Sequence, residues 1–131
     1  MGAVTHDVGR HDDGRDPEHG RRSARWVRAH RAALPVALDD RQLDALAYCF
    51  QWHVPPDARA PALTNELVCL KDADGLDRVR IVDLDPRRLR TERARQLPEA
   101  ARRLYEASRR AGGGDPRRRV RDAAVAQGRW R

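Results

Sequence analysis

Apolar residues in this chain recur at helical spacing, and the strict alternation that a strand needs is nearly missing. Leu43, Leu46, Ala47 and Phe50 stand at i, i+3, i+4 and i+7, the stripe of an amphipathic helix. Asp39 or Asp40 is placed to cap its start, and Pro55-Pro56 stops it. Upstream, Asp16 before Pro17 and Glu18 reads as an N-cap with proline at the first helical position. That helix runs to about Leu34, ahead of Pro35. Residues 1–10 read as the end of a helix, and Gly9, Gly14 and the Asp/Gly-rich run to Pro17 as a loop. A third helix carries Leu63, Leu67 and Leu70 on one stripe. Asp85-Pro86 opens a short turn or helix ending near Arg90, and a last amphipathic helix spans about Pro98 to Arg110. Its inward positions are Ala101, Leu104, Tyr105 and Ser108. The expected fold class is all-α: one helical domain over residues 1–110, closed by Gly112-Gly113-Gly114, and a flexible basic tail over 111–131.

Two polar residues fall on apolar faces. At about 100° per residue, Asp74 lands in the middle of the third helix's stripe, and His53 lies near the Leu46 edge of its own helix. A carboxylate that points inward needs a hydrogen-bonding group, a cation or a metal beside it.

Composition narrows the class. The chain has 131 residues, 40% of them apolar and 5% aromatic, enough for one modest core that gains stability from a partner or a metal. No apolar run approaches the roughly 20 residues of a membrane span. The segment Met1 to Asp7 lacks the charged and apolar regions of a signal peptide, so a cytoplasmic protein is expected. The net charge is +7. Lys71 is the single lysine, so the excess is arginine and looks like coding bias rather than a binding patch. Part of it sits in the tail, and no aromatic interleaving or helix-turn-helix spacing supports nucleic acid as the primary partner. Cys49 and Cys69 read as small buried hydrophobes.

The candidate chemistry lies in the histidines and aspartates. Imidazole nitrogen and carboxylate oxygen together suit Mn, Fe, Co or Zn, with Mg favoured if oxygen ligands dominate. Blander readings stand beside this one. His6-Asp7 works as an ordinary loop or capping pair, His19 as a surface residue at a helix start, and His53 as a satisfied core histidine. Asp74 works as the partner of an arginine such as Arg78. His11 and His30 read as solvent-facing.

In order, the chain presents His6-Asp7-Val8-Gly9-Arg10, His19-Gly20-Arg21-Arg22-Ser23-Ala24, His53, and Lys71-Asp72-Ala73-Asp74-Gly75-Leu76-Asp77. This set resembles the HD superfamily of metal-dependent phosphohydrolases over about residues 3–108. The resemblance implies an HD-domain-like helical bundle. His6, Asp7 and Asp74 would be metal ligands, with His19 and His53 as further ligands or phosphate contacts. Asp7 would bridge in a two-metal version. It also implies a first ligand His on a helix preceding the His-Asp pair. The chain starts five residues before His6, so a bundle lacking that helix is expected. The groove so left makes a second copy of the chain a candidate partner.

The expected activity is metal-assisted hydrolysis of a nucleotide or other small phosphoester. Arg10, Arg22, Lys71 and Arg78 are the candidates to clamp phosphate, Lys71 and Arg22 first, and Asp77 is a candidate to orient the water. A degenerate, non-catalytic HD-like domain used for interaction is the alternative. Nucleic-acid binding through the tail is the third reading.

Overall fold

The computed structural model describes residues 6–11, 16–34 and 36–110. The expectations for residues 1–5, for the loop at 12–15 and for the tail at 111–131 lie outside the described residues. The described chain is helical and contains no strand. Five α-helices follow in order: α1 (His19–Ala29), α2 (Asp40–Trp52), α3 (Asn65–Asp77), α4 (Glu92–Arg95) and α5 (Pro98–Arg110). Short 3-10 helices lie between them at Arg31–Ala33, Asp57–Arg59, Arg78–Ile81 and Pro86–Arg88. None of the described helices is long and apolar enough to cross a membrane.

The chain groups into two compact units, Met1–Ala73 and Asp74–Arg131. The boundary falls inside α3.

In the first unit α1 packs along α2. Their apolar faces build a core of Ala24, Val27, Leu34, Leu43, Ala47, Cys49 and Phe50, to which α3 adds Leu67 and Leu70. The stripe Leu43, Ala47 and Phe50 is buried as its spacing implies, with Leu46 at its edge. The start of α2 is Asp39, which forms a capping box: its carboxylate accepts the Gln42 amide at 2.7 Å, and its own amide donates to Gln42 Oε1 at 3.0 Å.

The first helix departs from expectation at both ends. Its N-cap is Glu18, without a side-chain cap bond, rather than Asp16. Asp16 is employed elsewhere: its carboxylate takes the Arg22 guanidinium and the His11 amide. At the other end His30 leaves helical geometry, and its amide and its ring Nδ1 both reach Trp26 O at 2.9 Å. The chain then tightens into the 3-10 turn Arg31–Ala33 instead of continuing as α-helix to Leu34.

Leu63 precedes α3 and is 49% exposed, so it does not join that helix's stripe. Thr64 caps the helix instead, its hydroxyl accepting the Leu67 amide. The buried face of α3 is Leu67, Leu70, Lys71 and Asp72. Cys69 turns away from that face and is exposed, contrary to the expectation of two buried thiols; both cysteines are free. Tyr48 fastens the chain before α3 to α2, donating to Ala62 O at 2.7 Å and accepting the Ala62 amide at 2.9 Å.

In the second unit α5 packs against the 3-10 helix Arg78–Ile81, and the Tyr105 hydroxyl reaches Arg80 O at 3.4 Å. Leu89 and Ala94 are its buried apolar residues among the described ones. Of the inward positions expected on α5, Ser108 is buried, while Ala101, Leu104 and Tyr105 are partly so. Asp85 caps Pro86–Arg88 as its Asp-Pro pair suggests, and α4, unforeseen from the pattern, is capped by Thr91. Val82 ends the 3-10 helix with φ at 58°, the left-handed region that a β-branched residue adopts only at a cost.

Candidate metal centre

The first unit brings four of the expected ligands to one place, from three separate segments. His6 and Asp7 lie on a turn before α1, closed by the Arg10 amide donating to Asp7 O at 2.9 Å. His19 is the first residue of α1, and His53 is the C-cap of α2.

Two glycines make the approach close enough. The Gly9 amide donates to the Ser23 hydroxyl at 2.9 Å, and Gly9 O accepts from Arg22 Nε at 2.9 Å, so both faces of this peptide are stitched to α1. A Cβ on Gly9 would sit 2.6 Å from the Ser23 amide nitrogen. A Cβ on Gly20 would sit 2.5 Å from Phe50 O and 3.3 Å from the His53 ring. The small residues spaced through His19-Gly20-Arg21-Arg22-Ser23-Ala24 are therefore the surface against which the turn and α2 close.

The geometry centres on Asp7 Oδ1. His19 Nε2 lies 3.0 Å from it, His6 Nε2 3.5 Å and His53 Nε2 3.8 Å. His19 Nε2 and His53 Nε2 are 3.0 Å apart. One ligand atom each from His6, Asp7 and His53 falls within 4.8 Å of the others. For coordination bonds of about 2.1 Å, donors at right angles lie about 3.0 Å apart and donors at the tetrahedral angle about 3.4 Å apart. The spacings around Asp7 are thus close to those of atoms sharing one ion.

The tautomers point the same way. His19 Nδ1 lies 2.5 Å from Asp16 O, and His53 Nδ1 lies 2.7 Å from Phe50 O. A carbonyl oxygen only accepts, so both Nδ1 atoms carry hydrogen, and in its neutral form each ring turns the lone pair of Nε2 inward. Two lone pairs opposed at 3.0 Å repel unless a proton or a metal cation lies between them. A backbone carbonyl on the distal nitrogen is also the usual support of a metal-ligating histidine.

With no ion bound and the rings protonated instead, burial raises the Asp7 carboxyl, but the hydrogen bond then donated by His53 and the charges of His6, His19 and Arg10 outweigh it and hold the group well below the ordinary carboxylate range. His19 and His53 are buried, while Asp7 keeps 31% of its side chain exposed, leaving an open side to the cluster.

The other expected site residues are placed as follows. Arg10 stands at the rim, its Nη1 3.4 Å from Asp7 Oδ2. Arg22 is engaged with Gly9 O and with Asp16, whose carboxyl it holds below the ordinary value. Lys71 is buried, donating to Pro55 O at 2.6 Å and pairing with Asp57 at 3.0 Å. Asp74 is half-buried and belongs to the second unit. Asp77 is exposed and accepts from Arg80 Nε at 2.6 Å, and Arg78 pairs with Asp83. His11 and His30 are exposed, as expected.

Asp16 is the residue beside the candidate site that sequence reasoning missed. Its backbone oxygen orients His19 while its carboxylate secures Arg22. The Asp-Pro signal that marked it as a cap also marked a residue beside the site.

Comparison of the chain with family models, with curated proteins and with solved structures finds no match.

Proposed function

We propose that the protein binds a divalent metal ion through His6, Asp7, His19 and His53 and acts as a metal-dependent phosphohydrolase on a nucleotide or other small phosphoester in the cytoplasm. The observation that carries the metal reading is the pair of inward Nε2 atoms beside Asp7, each ring locked by a carbonyl on its far nitrogen. The phosphohydrolase reading adds the resemblance of His6-Asp7 and its companion motifs to the HD superfamily.

A bound ion would polarise a phosphoryl oxygen and lower the pKa of an attacking water. The chain's own groups supply the rest. Asp16 O and Phe50 O hold the two imidazoles in the ligating tautomer. Arg10, at the exposed side next to Asp7, offers a planar guanidinium that matches phosphate oxygens. Arg22 holds the turn to α1; Arg10, paired with Asp7 on the open side of the cluster, is the first candidate for substrate contact.

The test is turnover of p-nitrophenyl phosphate and bis-p-nitrophenyl phosphate by the Mn²⁺-loaded protein, with metal content measured alongside. Asp7→Ala and His53→Ala are expected to lose both metal and turnover. Asp74→Ala enters the same assay, because the resemblance makes Asp74 a ligand. Equal turnover in wild type and Asp7→Ala sinks the enzymatic reading.

A second reading is favoured by one observation: Arg10, Arg22, Lys71 and Arg78, all four of the expected phosphate clamps, each have an ionic partner within the protein. On this reading the ion serves the fold and the domain has no catalysis. Metal that binds and raises the melting temperature without any turnover would select it.

A further inference from the structure

Lys71 is the single lysine of the chain, and its side chain is 3% exposed. Burying an ammonium group is costly, and the ion pair that accompanies it is a poor way to add stability. What Lys71 holds is more informative. Its Nζ donates to Pro55 O at 2.6 Å and meets Asp57 Oδ1 at 3.0 Å. Both partners lie on the short segment His53-Val54-Pro55-Pro56-Asp57 that leaves α2. Neither proline has an N–H, so this segment lacks two of its backbone donors, and the Pro55 carbonyl is a handle by which it can be tied down.

The His53 ring is constrained from the helix side by Phe50 O and by the close approach of Gly20. On the loop side the constraint comes from α3, through Lys71. Resting on the metal reading above, we infer that Lys71 is a positioning residue: it anchors the segment after α2 so that His53 Nε2 stays directed at Asp7 and His19. This replaces the phosphate-clamping role expected from the sequence. The ammonium is enclosed and engaged, whereas a clamp must meet a ligand.

The experiment titrates Co²⁺, followed by its visible bands, into wild type, Lys71→Met, Lys71→Arg and Leu43→Ala. Leu43 is a core residue at the far end of α2 and reports what loss of stability alone does. Lys71→Met is expected to bind Co²⁺ about 10–100-fold more weakly, as when other supports of a metal ligand are removed. Lys71→Arg should recover most of that loss, and Leu43→Ala should bind as wild type does. Ring ¹⁵N signals of His53 in the metal-free proteins give a readout without any ion, and Lys71→Met should shift or broaden them.

Should Lys71→Met fail to fold, Asp57→Asn leaves the bond to Pro55 in place and is expected to weaken Co²⁺ binding in the same direction by less. Wild-type affinity and His53 signals in a folded Lys71→Met protein overturn the inference. So does an equal loss in Leu43→Ala, or, if Asp57→Asn must stand in, wild-type behaviour of that variant. If wild type binds no Co²⁺, the metal reading falls, and the ring signals alone decide the role of Lys71.

Discussion

Replacing Gly20 by alanine sets two effects of opposite sign against each other. Gly20 lies in the first turn of α1, and in an exposed helix the exchange would add about 1 kcal/mol of stability. Here the new methyl would lie 2.5 Å from Phe50 O and 3.2 Å from Val54 Cγ2. The first contact is with backbone, which cannot rotate aside as a side chain can. Overpacking of this kind costs about 1–3 kcal/mol, and a carbonyl contact belongs in the upper part of that range. The expected net loss is therefore about 1–2 kcal/mol after the helical gain is subtracted. For a unit of this size that corresponds to a fall in melting temperature of about 4–8 °C per kcal/mol. Phe50 O is also the acceptor that orients His53, so Co²⁺ affinity should fall together with stability. Thermal unfolding and Co²⁺ titration of Gly20→Ala check both. A melting temperature equal to or above that of wild type, with unchanged affinity, would refute the argument that α1 and α2 meet backbone to backbone at this glycine.

Two further outcomes follow from other positions. Val82 has φ at 58° and a side chain that is 96% exposed, so Val82→Gly relieves a left-handed valine without losing packing. A gain of about 0.5–1 kcal/mol in urea unfolding is expected, the relief of about 1–2 kcal/mol less the entropy of glycine, and no gain would show that the conformation is not strained. Asp7 is held below the ordinary carboxylate range, so its ionised form stabilises the metal-free fold above that range, and the contribution is lost as pH falls through and below it. Urea midpoints recorded from about pH 5 down to about pH 2 should fall more steeply for wild type than for Asp7→Asn; parallel curves would remove the basis for the charge cluster.

The helical class, the stripe Leu43, Ala47 and Phe50, a cap at Asp39 or Asp40 and the end of α2 near Pro55 were all readable, because each rests on residues adjacent in sequence. What the pattern could not deliver was the partner of each polar side chain. Asp16 has the sequence of a cap, yet its carboxylate is drawn to Arg22, six residues away. Lys71 was expected to clamp phosphate, but its neutralising Asp57 and the Pro55 carbonyl come from another segment and allow it to be enclosed. Of the candidate site, His6, Asp7, His19 and His53 meet in space, while Asp74, central to the sequence argument, belongs to the second unit.

The stitching of Gly9 to Ser23 and Arg22 has a thermodynamic consequence. His19 and His53 are fixed by the helix pair, whereas His6 and Asp7 reach the site only while the N-terminal turn is docked. An ion gripping all four side chains must favour the docked turn by the difference in its affinity for the docked and detached forms. Amide exchange at Gly9 would then slow in proportion to cation occupancy, making that one N–H a gauge of how far ligation and docking are a single event.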